Sequence, residues 1–253
     1  MFNPLTREPH AIGAYACRKR VRAMIGGDAV VDSERAILLY EGGLPPVYYF
    51  PDDDVNSAFL VPSDTRTHCP FKGTARYWSI SAGGKIIEDA VWSYPAPDQP
   101  EALAISGYKS FYWSKIETWM EEDEEVFVHP RDPFTRIDIL PSKRTTQIIV
   151  DGETVVTSNS TLMLFETGLP PRLYFPKTDL RMDMLVPSQK RTQCPYKGEA
   201  EYYSMVLESG DILEDLVWQY PDPIAETARI KNRYAFHTER CEAVYIDGEL
   251  YQP

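Results

Sequence analysis

The chain has 253 residues and no long apolar run. The longest, 36–40, is five residues, against about 20 for a membrane-spanning helix. The opening MFNPLTREPHAIGAYACRKR lacks an apolar signal core, so neither a membrane partner nor secretion is expected. Positive charge is in short supply: 26 Lys and Arg stand against 38 Asp and Glu, for a formal net charge of −12. A nucleic-acid binder needs a basic face to release counterions, and no such stripe is visible, so nucleic acid is not an expected partner. Cysteine and histidine are scarce as well. Cys17, Cys69, Cys194 and Cys241 contain no C-x-x-C pair, and His10, His68, His129 and His237 contain no H-x-x-x-H pair. His68 adjoins Cys69, but consecutive strand residues point to opposite faces. No metal and no cofactor is expected on that spacing, and a cytoplasmic protein with reduced thiols is the plain reading. What the chain does have is 43% hydrophobic and 12% aromatic residues, enough for a sizeable core and inconsistent with wholesale disorder.

It also has the same domain twice. Residues 37–80 align without a gap to residues 162–205, an offset of 125 with 23 identities in 44 positions. Past one inserted residue the match resumes as IIEDAVWSYPAP (86–97) against ILEDLVWQYPDP (212–223). Upstream, IGGDAVVDS (25–33) pairs with VDGETVVTS (150–158). A period this long is a globular domain with its own core, not a solenoid unit. Two copies imply an internal pseudo-dimer, or one active and one degenerate copy.

Local signals within each copy are those of short strands. IIVDGETVV is a hairpin whose Asp151-Gly152 suits a turn with positive φ, and YIDGELY (245–251) begins the same pattern. Pro45-Pro46 and Pro170-Pro171 break the chain after E-x-G-L, and Phe-Lys-Gly in THCPFKGTARYWSI reads as a turn before a strand. One helix is expected between the copies, from the capping box Ser114-x-x-Glu117 with Ile116, Trp119 and Met120 at helical spacing, ending in a solvated acidic run, 121–125. Residues 18–113 and 141–253 are then the two domains, with 114–140 as acidic helix and Pro-containing linker. The expected fold class is mainly β, two homologous small β-rich domains with one short helix between them.

The first set of shared residues is Glu41, Gly43, Pro45, Tyr49, Phe50, Pro51 and Asp54, then Pro62, Ser63, Thr67, Cys69, Pro70, Lys72 and Gly73, then Glu88, Asp89, Trp92, Tyr94 and Pro95. The second runs from Glu166 through Tyr174, Asp179, Thr192, Cys194, Lys197 and Trp218 to Tyr220. These strings resemble the DUF427 family over nearly the whole chain, twice. The one departure in C-P-Y-K-G is Phe71, which lacks the hydroxyl. The resemblance implies a β-tent-like domain and, the family being of unknown function, little about activity. A nucleotidyltransferase title is attached to the family, but a G-S followed by paired carboxylates, which would hold metal and triphosphate, is missing here.

Cys69 and Cys194 are the leading candidates, each followed by Pro and, three positions on, by Lys72 or Lys197. A lysine amine near a thiol favours the thiolate, the attacking form, whereas a buried free cysteine packs as a small hydrophobe. The lysines serve equally as anion contacts or as exposed turn residues. Glu41 and Glu166 end otherwise apolar strands, as general bases or as acceptors for the G-L-P-P turn. Asp54 and Asp179 stand where an Asx turn or cap is common. Trp92 with Tyr94, and Trp218 with Tyr220, share a strand face and form either core or pocket wall; Tyr49 and Tyr174 join them. Arg66 and Arg191 suit a carboxylate or phosphate, or are strand surface charges. Two readings follow: a domain that modifies or binds a small, anionic molecule through Cys, Lys and Glu, or a non-catalytic module in which the same residues are scaffold.

Overall fold

Short apolar strands closed by Gly and Asp turns give each half of the chain eleven strands among the described residues. A computed structural model describes residues 12–42, 44–98 and 100–252, so His10 and Gly43 lie outside the described residues. The chain divides between Asp132 and Pro133 into two compact units. The first contains β1 (Ile12–Ala16), β2 (Val21–Ile25), β3 (Asp28–Ser33), β4 (Ile37–Glu41), β5 (Val47–Pro51), β6 (Leu60–Cys69), β7 (Gly73–Ala82), β8 (Lys85–Ser93), β9 (Tyr108–Phe111), β10 (Thr118–Glu121) and β11 (Glu124–Val126). The second repeats them as β12 (Ile137–Ser142), β13 (Thr146–Val150), β14 (Glu153–Ser158), β15 (Thr161–Glu166), β16 (Arg172–Pro176), β17 (Leu185–Cys194), β18 (Gly198–Val206), β19 (Ile212–Gln219), β20 (Arg233–Phe236), β21 (Ala243–Ile246) and β22 (Glu249–Leu250).

Each unit has two sheets. The first unit's seven-stranded sheet runs β1-β4-β5-β9-β8-β7-β6 and its four-stranded sheet β11-β10-β2-β3; the second unit's sheets run β12-β15-β16-β20-β19-β18-β17 and β14-β13-β21-β22. The two orders correspond strand for strand, so the fold is mainly β and duplicated, as the sequence repeat requires. Along the fifth strand of each copy the side chains alternate between two cores. In the second unit Leu173 and Phe175 join Ile148, Val156, Leu216 and Val244 between the sheets. Tyr174, between them in sequence, joins Leu164, Ala200, Trp218 and Tyr220 on the other face of the seven-stranded sheet. The equivalent face of the first unit gathers Leu39, Tyr49, Ala75, Tyr77 and Tyr94. That second face holds the candidate site.

The stretch expected to be a helix differs. Trp113–Lys115 is a single 3-10 turn, and the chain then enters β10, which pairs with β2 on one side and β11 on the other. Glu117 does not close a capping box on Ser114: its carboxylate accepts the Gly26 backbone N–H at 2.7 Å, across the sheet. The acidic run is the β10–β11 turn, with Glu122 at φ 50°. Its counterpart is the β21–β22 turn at Asp247-Gly248, so the segment from 114 to 126 completes the first domain as 239–251 completes the second.

Candidate functional site

In both copies the C-P-x-K-G string makes the turn from the edge strand of the seven-stranded sheet back to its neighbour. Cys69 pairs with Gly73 in the first copy and Cys194 with Gly198 in the second. Glycine is required at the turn's end. Gly198 has φ +97°, and a Cβ there would sit 3.2 Å from the Asp222 carbonyl oxygen; Gly73, at φ +86°, would meet the Asp98 carboxylate at 2.9 Å. Lys72 and Lys197 are only 8% and 7% exposed.

Each buried ammonium meets a carboxylate. Lys197 Nζ donates to Glu166 Oε2 at 2.5 Å and to Cys194 Sγ at 3.8 Å. Lys72 donates to Glu41 in the same way and lies 5.5 Å from the centre of the Tyr94 ring. Glu41 ends β4, second in its sheet, whereas Lys72 lies between β7 and β6, sixth and seventh. In a flat sheet those positions are roughly 19–24 Å apart at the usual strand spacing. The ion pair therefore requires the sheet to curl around this face, and it ties the two ends of the curl together.

Tyrosines line the curl. Tyr49 and Tyr174 are 1% exposed, and burial pushes their phenols, and those of Tyr94 and Tyr220, well above the ordinary range. They stay protonated at neutral pH and stand as uncharged walls. Trp92 Nε1 donates to the Tyr49 hydroxyl at 3.1 Å, and Trp218 meets Tyr174 edge to face. Thr67 and Tyr77 hydroxyls lie 2.8 Å apart, as do Thr192 and Tyr202 at 3.0 Å. Cysteine, lysine, glutamate and four aromatic residues per copy thus converge on one face.

The remaining candidates lie elsewhere. Asp54 accepts from Ser33 Oγ at 2.6 Å and pairs with Arg35; burial raises its carboxyl, but these partners outweigh it and hold the group below the usual range. It anchors a 3-10 turn, Asp52–Asp54, to the smaller sheet. Asp179 keeps that position and accepts from Thr178 instead. Arg66 and Arg191 turn back on their own strands, donating to the carbonyls of Ser63 and Thr65, and of Ser188 and Lys190, where strand register shifts. They brace a bulge.

One paired feature escaped the sequence reading. Asp89 and Asp215 both have left-handed backbone, φ 48° and 53°, with their N–H groups on the hydroxyls of Ser79 and Ser204. Lys115 and Arg240 donate to the backbone carbonyls of Glu88 and Glu214 beside them. The Asp89 carboxyl is held below the usual range by Ser63 and Thr65 hydroxyls. The signal was available as E-D in both copies of E-D-x-x-W-x-Y-P.

Among the described residues no group of three or more His, Cys, Asp and Glu is placed to hold a metal ion, and no helix is long and apolar enough to cross a membrane. All four cysteines are free. No curated protein matches the chain. The sequence model of one family, Domain of unknown function (DUF427), matches residues 14–122 and again residues 138–247. Each matched segment falls within one of the two units, and the chain belongs to the DUF427 family, carrying its domain twice.

Proposed function

We propose that each domain carries a small-molecule site on the curled face of its seven-stranded sheet. Cys69 and Cys194 are its reactive groups, Lys72 and Lys197 hold the charge that develops at sulfur or on the ligand, and Glu41 and Glu166 are the proton partners of the lysines. Tyr49, Tyr94 and Trp92, with Tyr174, Tyr220 and Trp218, form the walls. The observation that carries this reading is the placement of one ammonium against both a carboxylate and a thiol, Lys197 Nζ at 2.5 Å and 3.8 Å. A ligand with an acidic group would compete with the glutamate for that ammonium, which favours small anions.

A second reading is favoured by the span of the ion pair. A lysine already matched by a glutamate and closing the sheet's curl is what a scaffold needs, with no chemistry at sulfur. Nucleotidyl transfer, the weakest reading, would need acidic residues grouped to hold a metal, and among the described residues no group of three or more His, Cys, Asp and Glu is so placed.

Alkylation rate against pH, mapped to each cysteine by mass spectrometry, separates the first two. Cys17 and Cys241 are internal controls: burial raises both thiols, Cys241 to about 12. Cys69 and Cys194 reacting fast well below the pH at which free thiols ionise supports the reactive site. Reaction only on unfolding leaves the scaffold.

A further inference from the structure

The first unit holds an aromatic pocket that the Cys–Lys–Glu chemistry does not use. Its volume is about 310 Å³, and Pro45, Pro46, Trp92, Tyr112, Trp113 and Trp119 are among its walls. The size falls at the lower end of small-ligand sites. Trp113 and Trp119 stand nearly parallel, 10° apart with ring centres at 4.8 Å, and Trp92 meets Tyr112 at 4.6 Å.

Four polar atoms of these walls are turned to the protein. Trp92 Nε1 donates to Tyr49, Trp119 Nε1 to the Trp113 carbonyl at 3.2 Å, and Tyr48 to Glu121. His129 Nδ1 donates to the Pro130 carbonyl at 2.7 Å. A ligand needing hydrogen bonds would leave its own groups unpaired here, which costs affinity. A cationic ligand is disfavoured too, because Lys115 Nζ already lies 5.0 Å from the centre of the Tyr112 ring. The chain's net charge of −12 gives an anion no help.

The second copy is an internal control. At the offset of 125 it keeps the prolines as Pro170-Pro171 but has Leu173 for Tyr48, His237 for Tyr112, Thr238 for Trp113 and Val244 for Trp119. Those replacements are compatible with the same fold, so the aromatic walls are not needed to form the domain. We propose that this pocket is a binding site, specific to the first domain, for an uncharged planar aromatic group. It shares the Trp92 wall with the cysteine site but uses none of that site's Cys, Lys or Glu.

The test uses the full chain and N-phenyl-1-naphthylamine, a neutral aromatic probe whose emission rises in apolar surroundings. The expected result is saturable enhancement at one site per chain, with quenching of tryptophan emission as energy passes to the probe. Trp113→Thr and Trp119→Val, which install the second copy's residues, weaken binding by roughly tenfold or more. Tyr112→His does so from the exposed rim and serves if a core variant misfolds. No saturable binding to the wild-type chain, or binding that folded variants all retain, overturns the proposal.

Discussion

Glu166 and Lys197 come from opposite ends of one sheet, yet Oε2 and Nζ lie 2.5 Å apart and both side chains are 9% exposed. Removing one partner strands a buried charge. Lys197→Met is expected to destabilise the second domain by about 3–5 kcal/mol, whereas Lys197→Met with Glu166→Leu together recovers most of that loss. In the first copy Glu41 is 24% exposed, so Lys72→Met costs less. Urea unfolding of the four proteins measures this, and a single variant as stable as the wild type removes the pair's role in closing the sheet.

Gly26 and Gly83 touch backbone to backbone. A Cβ on Gly83 would lie 2.7 Å from Gly26 Cα, and φ there is +56°. Gly83→Ala therefore costs about 2–3 kcal/mol, from strain and displaced backbone together. Gly27, at φ +88° with open space around it, is the comparison; Gly27→Ala costs about 1 kcal/mol. Equal shifts in thermal midpoint for both would show that the contact carries no weight.

Acid acts on the second domain through Glu239. Burial raises its carboxyl, but Arg172, a backbone N–H and His237 outweigh this and bring it down to about 2 from 4.5. A depressed folded-state value means stability that is complete above about pH 4.5 and is lost as pH falls towards 2. Glu239→Gln is expected to lower stability above about pH 4.5 and to converge on the wild type as pH falls towards 2, which flattens the acid limb. An acid limb identical to that of the wild type would rule the carboxylate out.

The duplication and the β class were legible because the 125-residue offset preserves turn residues such as Asp151-Gly152 and Gly198, whose backbone demands are local. In the second copy the lysine of the C-P-x-K string comes back to 3.8 Å from its cysteine, a placement that three residues and a turn suffice to make. The expected helix failed for the opposite reason. Glu117 has its partner at Gly26, 91 positions away, and no local pattern reports such a partner. Carrying the offset of 125 past residue 80 would have aligned MEEDEEV (120–126) with YIDGELY (245–251) and revealed a hairpin. The Glu–Lys pairing was invisible because it depends on the curl of a whole sheet. Asp54 and Arg66 were ambiguous because an exposed polar residue in a repeat looks alike whether it braces a turn or meets a ligand.

The central position of β2 has a consequence for how the polypeptide is made. It lies between β3, its immediate successor, and β10, which arrives near the end of the unit. A nascent chain released only as far as residue 113 holds β2 with one open edge and lacks Trp119, which is 4% exposed in the finished core. Neither half can close its second sheet until almost all of that half has left the ribosome. Any fragment meant to stand for one domain must therefore run through β11 or β22.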